Sequence, residues 1–417
     1  MAVLLAYGSP ALGHFLPLSA LLSALTARGH QVHLRTLSGG VTAGREFGFA
    51  ADRVDPRIEA IESRDWTARN AFDVLAMTVD VLCRRAVLEV DDVRRAIERV
   101  QPDALIVDAN CWGAISVADA GDIPWSVFCP FTPYLRSRGV PPFGPGLRPL
   151  PGILGRVRDA QVRPVVTRLF DRRMLPRVNA IRTELGAQTV GSVDELMRRA
   201  PLLLAVGGEP FEYPHPDWGD SVHLIGACTP PQAAAEVPDW LADIDRPIVL
   251  VSTSSIRQAD AVLGVTALEA LADEPVHVVA TFPAGVPDGL PVPANATVRQ
   301  FVPHDAVLER AVCAITHGGM GTTVRALDRT VPVCVVPFAR DQAEVARRVE
   351  VARCGTRLPA KRLTAQRLRA KVRDAMTMTD GAARVAAGFA ATGGTARGAK
   401  LIEQHLLAGR GMTSPLP

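Results

Sequence analysis

One pattern limits what this chain can fold into, and it is written twice. Short apolar runs alternate with helix-length amphipathic segments, and the alternation halts and restarts near residue 246. Runs this apolar suit strands covered on both faces, as in parallel sheets with helices on either side. Ala2–Tyr7 is the first. A loop over Gly8–His14 follows, and Phe15, Leu18, Leu21, Leu22 and Leu25 then recur at helical spacing until Gly29. Gln31–Leu37 reads as the next strand, which completes a β-α-β unit of a doubly wound sheet. Strands are also expected over Pro102–Asp108, Ile123–Cys129, Pro201–Val206 and Val222–Ile225, and helices over Ala71–Val100 and residues 156–185. Residues 130–155, crowded with Pro and Gly, read as a long surface loop. Gly226–Val237 has the composition of a linker. After it, strands are expected over Pro247–Thr253, Val276–Thr281, Ala311–Thr316 and Val331–Val336, with helices over Ala259–Leu271, Thr322–Asp328 and Gln342–Ala352. The expected fold class is α/β, with domains at 1–225 and 246–417, a hinge at 226–245, and a last helix packing back on the first domain.

Composition removes several classes of function. With 417 residues, 48% hydrophobic and 21% charged, the chain is neither disordered nor fibrous. Lys+Arg of 46 against Asp+Glu of 43 is too balanced for a dedicated nucleic-acid binder. The basic residues include only three lysines, so the abundance of arginine reads as the codon usage of a GC-rich genome. Seven scattered cysteines without a C-x-x-C fit buried thiols in a reducing cytoplasm, with no disulfide framework or zinc site. The apolar N-terminus has no basic residues ahead of it, as a signal peptide would, and Gly8, Pro10, Gly13, His14 and Pro17 break it too often for a membrane span. The expected location is the cytoplasm.

The stretch Ala314-Ile-Thr-His-Gly-Gly-Met-Gly-Thr-Thr323 carries the most chemistry. An apolar strand runs into His317, then a glycine turn, then Thr322 at a helix start. Glycines let the backbone approach a ligand closely, and free N–H groups at a helix start favour phosphate oxygens. The bland alternative is a strand-turn-helix with a capping Thr. Downstream, Pro332–Pro337 leads to Asp341-Gln342, whose oxygen and amide groups suit vicinal hydroxyls, although Asp341 alone could be a helix cap. Upstream stand Gln300-Phe301-Val302-Pro303-His304 and Val307-Leu308.

In this order the motifs resemble those of the nucleotide-sugar-dependent glycosyltransferases, in which two Rossmann-like domains face each other across a cleft (GT-B). The similarity is greatest to the branch that glycosylates small lipophilic acceptors such as antibiotic aglycones. It runs continuously from Phe301 to about Leu358, and the spacing of the N-terminal motifs agrees. The resemblance implies that the main chain at Phe301 and Val302 holds the nucleotide base. His317, Gly318, Gly319, Gly321 and Thr322 would hold the diphosphate, and Asp341 and Gln342 the sugar. Ser254 and Ser255 would face the diphosphate, with Ser254 standing where the family has Gly. Gly13-His14-Phe-Leu-Pro17 matches a motif in which the His is general base, and Asp108 ends its strand where the family places the partner carboxylate. Alone, His14 would read as a cap or surface residue. The pair at two parallel strand ends is what points to chemistry: an imidazole with pKa near 6.5 can take a hydroxyl proton as attack proceeds, and a buried Asp steadies the imidazolium.

The family often has Glu where this chain has Arg325, three residues after Thr322. Loss of that ribose acceptor favours a TDP- over a UDP-sugar, unless Arg325 simply points into solvent. The expected activity is inverting transfer to a hydroxyl. No cofactor is expected beyond the nucleotide sugar as co-substrate, and no metal, fixed donors replacing it. Asp243-Ile-Asp245, although of Asp-x-Asp form, reads as a solvated turn. The nine arginines from Arg148 to Arg182 read as a solvated helical face, in a segment that with the 130–155 loop would border the acceptor. Rivals are a sugar-nucleotide epimerase, a non-catalytic activator of another glycosyltransferase, and an NAD-dependent oxidoreductase. The last lacks G-x-G-x-x-G and an acidic residue ending Gln31–Leu37. Neither the acceptor's identity nor a homodimer is decided by the sequence.

Overall fold

A computed structural model describes residues 1–68, 70–230, 239–255 and 259–408. The first sheet contains β1 (Val3–Tyr7), β2 (Gln31–Thr36), β3 (Ala50–Arg53), β4 (Ala104–Asp108), β5 (Trp125–Cys129), β6 (Leu203–Ala205) and β7 (Val222–Leu224). The second contains β8 (Ile248–Ser252), β9 (His277–Thr281), β10 (Ala296–Arg299), β11 (Ala311–Thr316), β12 (Val333–Val335) and β13 (Gly355–Arg357). The strand orders are β3-β2-β1-β4-β5-β6-β7 and β10-β9-β8-β11-β12-β13, and every strand pair is parallel.

Strands β4, β5 and β8 are buried along their whole length, as their continuous apolar runs require. The major helices are α1 (Leu12–Ala27), α2 (Ala71–Val100), α3 (Trp112–Ala120), α4 (Gly152–Glu184), α5 (Ala261–Leu271), α6 (Met320–Asp328), α7 (Gln342–Ala352), α8 (Ala365–Met376), α9 (Thr379–Ala391) and α10 (Gly394–Ile402). In each sheet the order reverses between two neighbours, β1 and β4 in the first and β8 and β11 in the second. Crevices open at such reversals, beyond the C-terminal strand ends.

The two halves share one apolar core. Leu21 of α1, Ile225 beside β7, Val324 of α6, Phe389 of α9 and Ile402 of α10 belong to a single buried cluster. Helix α10 returns to the first half: a side-chain carbon at Gly398 would meet Leu21 at 2.9 Å and Ile225 at 3.3 Å. Just beyond it, Glu403 accepts hydrogen bonds from Arg28 at 2.8 Å and pairs with His30 at 3.0 Å. Of the expected hinge at 226–245, residues 231–238 lie outside the described residues. Its start is fixed by a bridge between Gly226 and Gly207.

The expected surface loop at 130–155 needs correction at both its end and its burial. Helix α4 already begins at Gly152, and Thr132, Leu135, Ser137 and Val140 are buried. Among the described residues, no helix is long and apolar enough to cross a membrane. All seven cysteines are buried and unpaired.

Candidate active site

The crevice of the first sheet holds His14, two residues into α1 after β1 ends, and Asp108, the last residue of β4. His14 Nδ1 lies 2.8 Å from Asp108 Oδ2. An ionised carboxylate only accepts, so Nδ1 carries the proton and Nε2 keeps its lone pair. The other carboxylate oxygen of Asp108 accepts from the Asn110 backbone N–H at 2.9 Å. Asp108 is fully buried, while the His14 side chain retains 18% exposure. The carboxylate is thus locked in place while the imidazole stays accessible from the crevice.

In the second sheet, β11 delivers His317 to the crevice and α6 begins at Met320. Gly318 has φ +97°, and a side-chain carbon on Gly319 would lie 2.5 Å from His317 Nε2. The imidazole therefore lies directly against the turn, and only glycine fits beneath it. Gly321 faces open space. Thr322 Oγ1 is 3.4 Å from Ser252 Oγ at the end of β8, across the strand reversal.

Burial lowers the pKa of His317, and Asp260 draws it partly back up. Asp260 Oδ2 stands 3.6 Å from His317 Nδ1 and accepts from the Ser254 N–H at 2.7 Å. No sequence motif pointed to Asp260. Ser254 is buried and Ser255 exposed, in the loop where the family has Gly. Val302 is buried, whereas Phe301 is 75% exposed.

Asp341 precedes the first residue of α7 without a capping hydrogen bond from its side chain, and it is only partly buried. Burial pushes its carboxyl above the ordinary value. Its own backbone N–H, Arg340 and then His14 oppose that rise, so Asp341 sits within electrostatic reach of the imidazole in the other half. Gln342 departs from the simple expectation of sugar binding through both its polar atoms. Its side-chain oxygen is occupied by the N–H groups of Phe338 at 2.8 Å and Ala339 at 3.0 Å, so it braces the turn that presents Asp341. Arg340, φ +57°, holds that turn to the first half through two bonds to Asp65, at 2.6 and 2.9 Å. Arg325 does not project into solvent: its side chain is 15% exposed and lies 3.7 Å from Asp305.

Aromatic rings extend away from His14. Phe131 lies 5.7 Å from the imidazole and 5.6 Å from Tyr134, and Tyr134 lies 5.8 Å from Phe143 and 6.0 Å from Phe170. The nine arginines are not one solvated face, because Arg182 is fully buried on Asp119 at 2.5 Å. Among the described residues, no group of three or more His, Cys, Asp or Glu could hold a metal ion.

Two parallel-sheet α/β domains facing each other across a cleft are the architecture of the GT-B glycosyltransferases. Residues 265–402 match the model of the erythromycin biosynthesis protein CIII-like C-terminal domain. The chain is 29% identical over 385 residues to 4'-demethylrebeccamycin synthase of Lentzea aerocolonigenes, spanning 88% of this chain and 89% of that one. The solved glycosyltransferase of kitacinnamycin superposes with a TM-score of 0.73 at 25% identity, over 97% of this chain and 99% of that one. The glycosyltransferase VinC, solved in complex with dTDP, superposes with a TM-score of 0.68 at 22% identity, over 97% and 99%. The chain is a glycosyltransferase whose homologues glycosylate natural products.

Proposed function

We propose that the protein transfers a sugar, with inversion, from a TDP-sugar to a hydroxyl of a lipophilic aromatic acceptor. The hydrogen bond from His14 to Asp108 at 2.8 Å carries this reading, because it leaves Nε2 as a base at the mouth of the first crevice. The acceptor hydroxyl gives its proton to Nε2 as its oxygen bonds the anomeric carbon. The bond from that carbon to the diphosphate breaks in line, and the nucleoside diphosphate leaves. Asp108 steadies the imidazolium. His317 and the backbone N–H groups around Gly319–Thr322 take up the charge on the departing diphosphate. Asp341 orients the sugar, and Phe131, Tyr134 and Phe143 offer the acceptor an apolar wall. No cofactor enters besides the nucleotide sugar.

The preference for TDP rests on Arg325. With arginine there, turned toward Asp305, a ribose 2′-OH lacks its carboxylate acceptor. Leaving such a group unpaired costs ~1–3 kcal/mol. The dTDP bound to VinC agrees with this choice. A thermal-shift series with TDP, UDP and GDP tests it, since ligand at 100 times Kd adds ~2.7 kcal/mol of stability. TDP should give the largest shift. A larger shift with UDP would reject the base preference, and no shift with any of the three would reject the donor site.

A further inference from the structure

The wall that faces the acceptor is held from the donor side. Among the described residues, the stretch 131–150 has one internal backbone hydrogen bond, Val140 N–H to the Ser137 carbonyl. Its position therefore depends on side chains from elsewhere. At its far end, immediately after Phe143, the N–H groups of Gly144 and Gly146 both donate to Oε1 of Glu344, each at 2.8 Å. Arg347 Nε donates to the Gly146 carbonyl at 2.8 Å. Gly146 has φ +60°, and a side-chain carbon there would lie 2.4 Å from the Ala343 carbonyl oxygen, so the loop rests directly on the first turn of α7. Glu344 is 4% exposed, and its other oxygen accepts from Arg348 Nη1 at 2.8 Å.

We infer that Glu344 and Gly146 are positioning residues that fasten the acceptor wall to the sugar-holding end of α7, so that a bound donor sugar is felt in the acceptor loop. The inference rests on the proposed roles of Asp341 and of the aromatic wall. The physical link is short. Asp341 begins the turn that Glu344 ends, and one carboxylate oxygen holds two loop amides by charge-assisted bonds. An acceptor bound against Phe131, Tyr134 and Phe143 is thereby aligned to His14 by a residue of the other domain. The clasp would favour acceptor binding to the donor-loaded enzyme.

Hydrogen exchange of the full chain, with and without TDP-glucose, tests this. In the wild type, TDP-glucose should slow exchange across residues 140–150 at least about fivefold, the low end of ordinary coupling between sites, and TDP alone should slow it less. Glu344→Ala and Gly146→Ala should bind TDP with near wild-type affinity yet lose the response. Glu344→Gln keeps an oxygen for the two glycine N–H groups and should retain it. A residue that merely stabilised the fold would change the melting temperature and leave the ligand response in place. A wild-type loop indifferent to TDP-glucose, or a Glu344→Ala loop that responds like wild type, overturns the coupling. If calorimetry finds that neither TDP-glucose nor UDP-glucose binds, the donor site itself is refuted and the coupling with it.

Discussion

At the scale of single residues, the two histidines should fail in different ways. In the proposed mechanism His14 Nε2 acts only as the acceptor hydroxyl loses its proton, so His14→Ala should cut turnover at least ~100-fold while TDP affinity stays near wild type. Asp108→Asn should behave alike, because the amide cannot balance an imidazolium. In that mechanism His317 meets the diphosphate in the ground state as well. A hydrogen bond to a charged group contributes ~1.5–3 kcal/mol, so His317→Ala should weaken TDP binding roughly 10- to 100-fold. Steady-state kinetics beside calorimetry separates these outcomes, and equal losses of affinity in both variants would reject the division of labour. Asp108 and His317 were legible in the sequence because one ends an apolar strand and the other follows one directly into a glycine turn, and His14 because Gly13-His14-Phe-Leu-Pro17 matches a family motif. Asp260, Asp65 and Glu344 were not. A lone acid in a helix or loop reads as solvated, and only the tertiary fold brings Asp260 to 3.6 Å from His317 Nδ1.

At the scale of elements, legibility followed burial. Strands β1, β4, β5, β8 and β11 announce themselves because almost every side chain is covered. The edge strands β3 and β10 went unread because they are four residues long and largely uncovered, and β13 because it is only three residues long. Helix α2 was legible as a helix, but its polar interior was not. Glu89 is buried within it and accepts from the Gly113 N–H at 2.9 Å, at the start of α3. A side-chain carbon on Gly113 would lie 2.0 Å from the Ala86 carbonyl oxygen, so the two helices touch backbone to backbone there. Burial pushes the Glu89 carboxyl up to about 8, from an ordinary 4.5. The folded state therefore holds a proton that the unfolded chain releases above pH 4.5, and stability drains away as pH rises from about 4.5 to about 8. Glu89→Gln keeps an acceptor for Gly113 and removes the titration. Its stability relative to wild type should grow by roughly 1 kcal/mol per pH unit across that window. Urea denaturation at pH 5 and pH 8 measures this, and a pH-independent difference would show that Glu89 is ionised in the folded protein.

At the scale of the molecule, the question is what fixes the two sheets against each other. Neither the linker composition nor any motif answers it, since the contacts come from residues far apart in sequence. Besides the shared apolar core and the Arg340–Asp65 pair, a buried ionic cluster spans the junction. Arg348 of α7 reaches Glu212 of the first half at 2.8, 2.9 and 3.0 Å, holds Glu344 at 2.8 Å, and stands 4.4 Å above the Tyr213 ring. Burial alone would raise the Glu212 carboxyl, yet Arg348 and His215 hold it down to about 2. Such a cluster adds little over an apolar contact of equal volume, but breaking it leaves charge stranded. Arg348→Met strands Glu212 and Glu344 together and should cost ~3–5 kcal/mol near pH 7. The deficit should narrow as pH falls from about 4.5 toward about 2. Over that range the wild type gives up the advantage of its depressed carboxyl, whereas the variant's stranded acids are already protonated. Adding Glu212→Gln and Glu344→Gln to Arg348→Met should restore most of the loss at neutral pH, because no charge then stays buried without a partner. Denaturation of the single and triple variants decides the matter. A cost below about 1 kcal/mol for Arg348→Met would mean that water reaches this junction, and that the ionic cluster adds little to the other contacts between the halves.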